Sequence, residues 1–318
     1  MRAAIQAFDN IDKLDTTAQD AENEEEPKTP RKRLYKWATE GEGNMMYKFL
    51  FRFITGKPYE AVREHFMSLA REGEMDLSIM HIMCIFHNRK NNERFQDMIY
   101  CVPPYFMYHL LQKVHHKYFD PETNLPFALS TLSGNDLFAP LLYVHHWWLY
   151  VLDVNHKKFY VLDPLNPKNQ ASERKKIHIY VSNVLDQMIV YAGGNTMFPG
   201  PITTQVATHS LLPKLIHVPK QHNQYDCGVH VLKYLEVVNP IELNKKSYKI
   251  PVSSQEQFDE YREAIVERIL LDNDNYYTVE AVQATVPTHR QSKPSHHLQS
   301  PYVLLNSSYI ESGKSKDK

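Results

Sequence analysis

The chain has 318 residues, a length that suits one or two domains and permits a sizeable core. Its hydrophobic content of 42% and charged content of 23% are typical of a soluble globular protein. The formal net charge is −1, so no overall basic field indicates binding to nucleic acid or to an anionic membrane. The three cysteines are too few and too scattered for a disulfide framework, and we therefore expect a reducing, intracellular compartment.

The two ends of the chain are polar. Residues 1–43 carry an acidic run followed by the basic segment Arg31–Lys32–Arg33, and opposite charge blocks with prolines are typical of disorder. We expect a disordered charged arm over 1–43, a folded domain with a helical N-terminal part over 44–283 and a flexible tail over 284–318. The basic segment fits a nuclear localisation signal, and solvated charge in a flexible arm is the alternative.

The first half of the folded region is predicted to be largely helical. A short helix is predicted over Tyr59–Ala70, and another over Tyr105–His115. Between them, Asp76 can cap a helix in which Leu77, Met80, His81 and Cys84 share one face.

The second half mixes strands with helices. The β-branched and aromatic segment Leu141–Asp153 is predicted to be one strand, and Phe159–Asp163 returns beside it to make a hairpin. Further along the chain come a helix over Ala171–Tyr191, a short strand over Leu215–Val218, a buried helix over Gly228–Val237 and an amphipathic helix over Ser254–Leu271. Because these elements do not alternate regularly as βαβ units, the predicted fold class is α+β.

A candidate nucleophile lies at the start of one predicted helix. Cys227 in Asp226–Cys227–Gly228 faces unpaired backbone N–H groups and the positive end of the helix dipole. Both favour the thiolate, so we expect a lowered pKa for the Cys227 thiol. Gly228 lets the backbone approach a bound carbonyl. The alternative is a cysteine that serves as a small buried hydrophobe.

The predicted hairpin supplies a base and a carboxylate. If its loop has an even number of residues, His146 and Asp163 lie on one sheet face as near-diagonal neighbours, about 7–8 Å apart. Asp163 could then fix the tautomer of His146 and support its imidazolium form. An odd loop would separate them, and the sequence leaves this open. On an alternating strand the neighbouring His145 faces away and is packed or hydrogen-bonded.

A glutamine precedes the nucleophile in the same loop. The amide of Gln221, six residues before Cys227, could donate to the oxygen of a tetrahedral intermediate. The backbone N–H of Cys227 would be the second donor. A solvated loop glutamine is the alternative interpretation.

Together these residues resemble the ubiquitin-like-protein protease family, the Ulp/SENP group. The shared pattern is His146–Trp147, then Asp163 seventeen residues after the histidine, then Gln221 and Cys227–Gly228. The chain order of base, orienting acid, oxyanion glutamine and nucleophile also agrees, whereas papain-like enzymes place the cysteine first. The resemblance covers about Asp76 to Leu271, and the long flanking arms are similar to plant and transposon-associated members.

The resemblance implies a papain-like cysteine-protease fold of the Ulp type, with a mixed sheet flanked by helices and no cofactor or metal. It implies a thiol-dependent enzyme that cleaves after the C-terminal Gly-Gly of SUMO or a related ubiquitin-like protein, which would be its partner. Trp147 would bind substrate by walling a narrow tunnel for the glycine tail. The sequence departs from the family in two places. Gly73–Asp76 lacks the tryptophan usual ahead of the first core helix, and Pro164 replaces the commoner serine.

The sequence allows three other interpretations. A catalytically silent, transposon-derived module could bind a ubiquitin-like protein without cleaving it, although all four catalytic positions are present. A DNA-binding accessory role would rest only on Arg31–Lys32–Arg33. A metal face of His81, Cys84 and His87 lacks a second ligand pair with zinc spacing, which favours core packing.

Overall fold

A computed structural model of the chain describes residues 29–41, 43–54, 59–89, 99–105, 107, 136–165, 172–191, 213–245 and 249–287. The helix predicted over Tyr105–His115 falls mostly outside these residues. The same is true of the predicted arm before residue 29 and of the tail beyond residue 287. None of the helices within the described ranges is long and apolar enough to cross a membrane.

The described elements are named in chain order. The α-helices are α1 (Pro30–Thr39), α2 (Arg63–Met67), α3 (Leu77–His87), α4 (Ser172–Tyr191), α5 (Cys227–Val237), α6 (Gln255–Leu270) and α7 (Thr278–Ala284). The strands are β1 (Phe49–Arg52), β2 (Glu60–Val62), β3 (Ile99–Cys101), β4 (Asp136–Tyr143), β5 (His146–Asp153), β6 (Lys158–Leu162) and β7 (Lys214–Ile216). Short 3-10 helices span Gly43–Tyr47 and Pro240–Asn244.

A mixed five-stranded sheet forms the centre of the domain, in the order β3-β4-β5-β6-β7. Strands β4, β5 and β6 are antiparallel neighbours, whereas β3 and β7 pair in parallel with β4 and β6. The predicted α+β class, with a mixed sheet flanked by helices, is therefore confirmed. Strands β1 and β2 form a separate two-stranded sheet.

The middle strand, β5, is buried along its whole length. Successive side chains of a strand point to opposite faces. Trp147, Leu149 and Val151 accordingly join the core under α3, α5 and α6, while Trp148 and Tyr150 join a second core under α4. A sheet covered on both faces needs apolar residues at every position, which explains the unbroken apolar run of this segment.

The predicted single strand Leu141–Asp153 is wrong in one respect, because a tight turn divides it. Val144 and His145 have φ angles of 46° and 58°, and β4 turns there into β5 with Tyr143 opposite His146. Positive φ is usual in two-residue hairpin turns, but glycine or asparagine normally supplies it, so the sequence carried no turn signal. His145 is therefore not packed in the sheet. Its side chain is 83% exposed and lies 3.2 Å from Glu74.

The hairpin between β5 and β6 is confirmed, and its register shows whether the connecting loop has an even or an odd number of residues. Asp153 pairs with Lys158, so the connection consists of the even-numbered set 154–157. Leu149 pairs with Leu162 in the same ladder. Asp163, one residue beyond Leu162, therefore shares a sheet face with His146.

The structure contradicts part of the predicted disordered arm, because residues 30–39 form helix α1. Thr29 caps this helix, and Leu34 and Ala38 are completely buried at a spacing of one helical turn. Arg33 is buried and donates a hydrogen bond of 2.6 Å to the Thr285 carbonyl. The apolar stripe of α1 is short and set among charges, which is why composition indicated disorder. The folded region thus includes α1, and the proposed localisation segment lies within it.

The helix predicted over Tyr59–Ala70 is also corrected. Residues 60–62 form β2, paired with β1, and only Arg63–Met67 are helical. Pairing with a strand distant in sequence overrides local helix propensity here. The helix capped by Asp76 is confirmed, since the Asp76 carboxylate accepts a hydrogen bond of 2.6 Å from the Ser78 backbone N–H.

Candidate active site

The candidate site lies at one edge of the central sheet. His146 is the first residue of β5, Asp163 directly follows β6, and Cys227 is the first residue of α5. Helix α5 packs against β5, which brings the start of the helix to the start of the strand. Three separate segments of the chain therefore place their polar residues at this edge.

The structure joins His146 to Asp163. The imidazole Nε2 lies 2.8 Å from Asp163 Oδ1, and both residues are buried. An ionised carboxylate only accepts, so Nε2 carries the hydrogen and Nδ1 is the basic nitrogen of the neutral ring. Nδ1 has no hydrogen bond to any residue that the structure describes. His146 is thus prepared to accept a proton at Nδ1.

Asp163 remains a carboxylate despite its burial. Burial raises the pKa of Asp163, but the hydrogen bond from His146, the charge of Arg174 and the Leu165 N–H together lower it below its usual value. Arg174 Nη1 lies 2.5 Å from Asp163 Oδ2, and the Leu165 N–H donates to Oδ1 over 2.9 Å. The sequence carries no signal for this role of Arg174, since nothing local links the first turn of α4 to the end of β6.

The Cys227 thiol lies beside the backbone of residues 145–147. Its Sγ is 4.0 Å from the His145 carbonyl oxygen, and the residue is 1% exposed. Burial raises the pKa of the Cys227 thiol, although the backbone N–H groups of Trp147 and Gly228 oppose this effect. The expected lowering of this pKa is therefore wrong, because removal from water outweighs the helix terminus. No hydrogen bond joins Sγ to the His146 ring among the described residues, and the resting thiol keeps its proton.

A tightly packed wall stands next to the nucleophile. The Trp147 indole donates a hydrogen bond of 3.0 Å to the Met75 carbonyl, and both residues are almost fully buried. A Cβ atom added at Gly228 would lie 2.6 Å from Met75 Cβ and 3.1 Å from Trp147 Cδ1. Gly228 is therefore required by this packing. Met75, in the segment Gly73–Asp76 that lacks a tryptophan, could not be recognised as part of this wall from the sequence.

Gln221 is held from two sides. Its backbone N–H donates to the Pro164 carbonyl over 2.9 Å, which ties the loop to the residue after Asp163. Its Nε2 donates to the Asn223 carbonyl over 2.8 Å, while Oε1 is buried with no partner among the described residues. An amide nitrogen has two hydrogens, so one remains for another acceptor. These contacts therefore fix Gln221 within the loop that leads to Cys227.

Asn223 and Arg262, for which the sequence carries no functional signal, fix the end of this loop. The Asn223 amide donates to Asp226 Oδ2 over 2.6 Å, and Arg262 Nη2 lies 2.8 Å from Asp226 Oδ1. Burial raises the pKa of Asp226, but the hydrogen bonds from Arg262 and Asn223 outweigh burial and bring this pKa below its usual value. The carboxylate therefore stays charged. Helix α6 thereby positions the residue that precedes Cys227.

The other cysteines and histidines weighed in the sequence lie in the core. His81 packs between the rings of Tyr59 and Tyr105, at centroid distances of 4.6 and 5.0 Å. Cys84 and His87 are buried on α3. Within the described residues, no group of three or more histidine, cysteine and acidic side chains is arranged to hold a metal ion.

The fold and this arrangement of residues are those of a cysteine-peptidase domain. Residues 135–264 match the Ulp1 protease family, C-terminal catalytic domain. This match confirms the resemblance found in the sequence.

Two solved structures are similar to this chain at low sequence identity. The yeast Ulp1 C-terminal protease domain, in complex with the SUMO orthologue Smt3, is 14% identical with a TM-score of 0.52, covering 80% of this chain and 98% of that chain. The catalytic domain of the Ulp1-like SUMO protease from Chaetomium thermophilum is 16% identical with a TM-score of 0.46, covering 84% of this chain and 97% of that chain. No protein of curated function matches the chain by sequence.

Proposed function

We propose that this protein is a thiol-dependent peptidase and isopeptidase that cleaves after the C-terminal Gly-Gly of SUMO or a related ubiquitin-like protein. The observation that carries the proposal is the His146–Asp163 pair, at 2.8 Å, beside a cysteine that opens a helix in a Ulp1-family domain. The yeast relative was solved with a SUMO orthologue, which supports a ubiquitin-like protein as the substrate class.

The first step is formation of a thioester. Nδ1 of His146 removes the proton from Cys227 Sγ, and Sγ attacks the carbonyl carbon of the last glycine. Asp163 stabilises the imidazolium that results, because its carboxylate already accepts the Nε2–H bond. The leaving amine takes the proton from His146 as the C–N bond breaks. Water then attacks the thioester with His146 again as base, and Cys227 regains its proton.

Two donors serve the negative oxygen of the tetrahedral intermediate. The Cys227 backbone N–H lies at the start of α5, where helical N–H groups have no partner within the helix. The second amide hydrogen of Gln221 is the other donor. Preorganised donors of this kind typically contribute about 10²–10³-fold to kcat each.

The wall of Trp147 and Met75 accounts for selection of glycine. Side chains already fill the space around Gly228 so closely that one extra carbon atom there would clash with Met75. A substrate tail that passes this wall to reach Cys227 must be narrow, and glycine presents no side chain. The thioether of Met75 is flexible enough to move aside for such a tail.

A panel of electrophilic probes tests this proposal. Each probe is a ubiquitin-like protein, of the SUMO, NEDD8 or ubiquitin type, with a thiol-reactive group in place of the last glycine. We expect a covalent adduct with the SUMO-type probe that mass spectrometry maps to Cys227, and no adduct with Cys227→Ala. Tight binding of SUMO to the folded wild-type protein without any adduct would instead support the silent binding module.

A further inference from the structure

Arg174 contacts the active-site carboxylate from the side of the sheet that α4 covers. It lies in the first turn of α4, and its Nη1 is 2.5 Å from Asp163 Oδ2. Its guanidinium also stacks over the Trp148 ring, with Cζ 5.0 Å from the ring centroid. The side chain is 21% exposed, so solvent screens this ion pair only in part.

The two oxygens of Asp163 therefore have separate tasks. Oδ1 accepts from His146 Nε2 and from the Leu165 N–H, whereas Oδ2 is held by Arg174. Rotation of the carboxylate about its Cβ–Cγ bond would break both sets of contacts. Trp148 fixes the position of the guanidinium, and the guanidinium in turn fixes Oδ2. The orientation of Oδ1 towards His146 therefore depends on Arg174.

Arg174 also changes the charge that His146 meets. A bare carboxylate at 2.8 Å would stabilise the protonated imidazole strongly and thereby oppose release of the proton to the leaving amine. A guanidinium on the opposite oxygen partly neutralises that carboxylate.

Other groups around Asp163 do not supply this charge. Burial lowers the pKa of His178, on α4, to about 4, so its ring is neutral. The phenols of Tyr150 on β5 and Tyr234 on α5 are neutral as well, because burial raises both pKa values. Among the described residues, Arg174 is the only arginine or lysine within ion-pair distance of Asp163.

We propose that Arg174 is a positioning residue for this peptidase, which holds Asp163 in the orientation that His146 needs and limits how firmly the pair retains a proton. The inference rests on the proposed function, since it assigns a role within the same site. Loss of the guanidinium should leave the pair less well ordered and should move the pH profile of kcat/KM, because a positive charge beside the pair is removed.

The test compares Arg174→Gln, Arg174→Met and Arg174→Lys with a matched control at Arg89. Arg89 has the same type of surroundings away from the site, since it pairs with Asp272 at 2.8 Å and stacks over Phe86 at 4.3 Å. The pH profile of kcat/KM is measured on a fluorogenic Gly-Gly SUMO substrate. A second readout, independent of turnover, is the downfield NMR proton signal of the His146–Asp163 hydrogen bond in a Cys227→Ala background.

We expect Arg174→Gln to lower kcat by about 10–100-fold, by analogy with the loss of outer-shell groups that orient metal-binding histidines. KM should change little, and the acid limb of the profile should move to higher pH. Arg174→Lys keeps a charge and should retain the limb while losing part of kcat. Arg89→Gln should lower the melting temperature without moving the limb or the NMR signal.

The proposal would be overturned if Arg174→Gln kept the acid limb of the kcat/KM profile at the wild-type pH and retained the NMR signal of the His146–Asp163 hydrogen bond. If that variant does not fold, Arg174→Met, which preserves the packing on Trp148, must show the same loss, and wild-type behaviour there also overturns it. A wild-type protein that turns over no Gly-Gly substrate removes the proposed function instead. The NMR signal then still decides whether Arg174 orders the pair.

Discussion

Asp226, the residue directly before the proposed nucleophile, forms a buried ion pair with Arg262 of α6, with 2.8 Å between Oδ1 and Nη2. The Arg262 side chain is completely buried and that of Asp226 is 1% exposed. Arg262 Nη1 also donates to the carbonyls of Ser68 and Ala70, over 3.2 Å each. One guanidinium thus ties the start of α5 to the segment that leads to Met75.

The first prediction concerns this ion pair. Arg262→Met should lower the free energy of unfolding by about 3–5 kcal/mol, because it leaves the Asp226 carboxylate buried without its cation. Asp226→Asn together with Arg262→Met should recover part of that loss. Urea denaturation measures both. A double variant no more stable than Arg262→Met alone would contradict the pairing.

The stability of the protein should also depend on acid. Asp163 and Asp226 have lowered pKa values in the folded state, so their contribution is present above the unfolded carboxyl pKa of about 3.9 and is lost as pH falls through the folded values. The melting temperature, measured at decreasing pH from pH 7, should therefore decrease once the pH is below about 4. Asp226→Asn should start from a lower melting temperature and show a smaller fall. An equal fall in both proteins would argue against Asp226 as a contributor.

The cysteines provide the third prediction. Cys227→Ser should abolish turnover with the fold intact by circular dichroism, while Cys84→Ser and Cys101→Ser should stay active. Burial raises the pKa of Cys227, so alkylation of the free enzyme by iodoacetamide should be slow at neutral pH and accelerate in the alkaline range. Fast alkylation at pH 6 would show a preformed thiolate and contradict the structure.

The fourth prediction separates the two adjacent histidines. His146→Ala should reduce kcat/KM by several orders of magnitude, and Asp163→Asn by somewhat less, because the base remains but its tautomer and charge support are lost. His145→Ala serves as the control, since this side chain is exposed on the turn and contacts Glu74. It should be nearly neutral for kcat. A crippled His145→Ala enzyme with a mild His146→Ala change would reverse the assignment.

The fifth prediction concerns Gln221. Gln221→Ala should lower kcat by about 10²–10³-fold with little change in KM, because the amide acts only when charge develops on the carbonyl oxygen. Gln221→Glu should be worse, since a carboxylate repels that oxygen. Single-turnover acylation measures the step directly. An unchanged kcat with a weakened KM would place this side chain in substrate binding.

The candidate site residues were predicted from the sequence alone. Residue type and spacing suggested Cys227, His146 and Asp163, whereas Gln221 was selected through the resemblance to the Ulp/SENP group. The strand and helix that carry His146 and Cys227 follow from apolar periodicity. The α+β class followed from the order of the elements. These features are local in the chain, and local sequence specifies them.

Only the tertiary structure decided how the site is held and charged. Arg174, Arg262 and Met75 act across contacts between segments distant in sequence, which no spacing rule reveals. The thiol pKa of Cys227 is raised because burial is a property of the packed molecule, although its helix start was visible in the sequence. The strand break at Val144–His145 likewise depends on pairing of Tyr143 with His146, which allowed positive φ angles at residues that do not normally favour them.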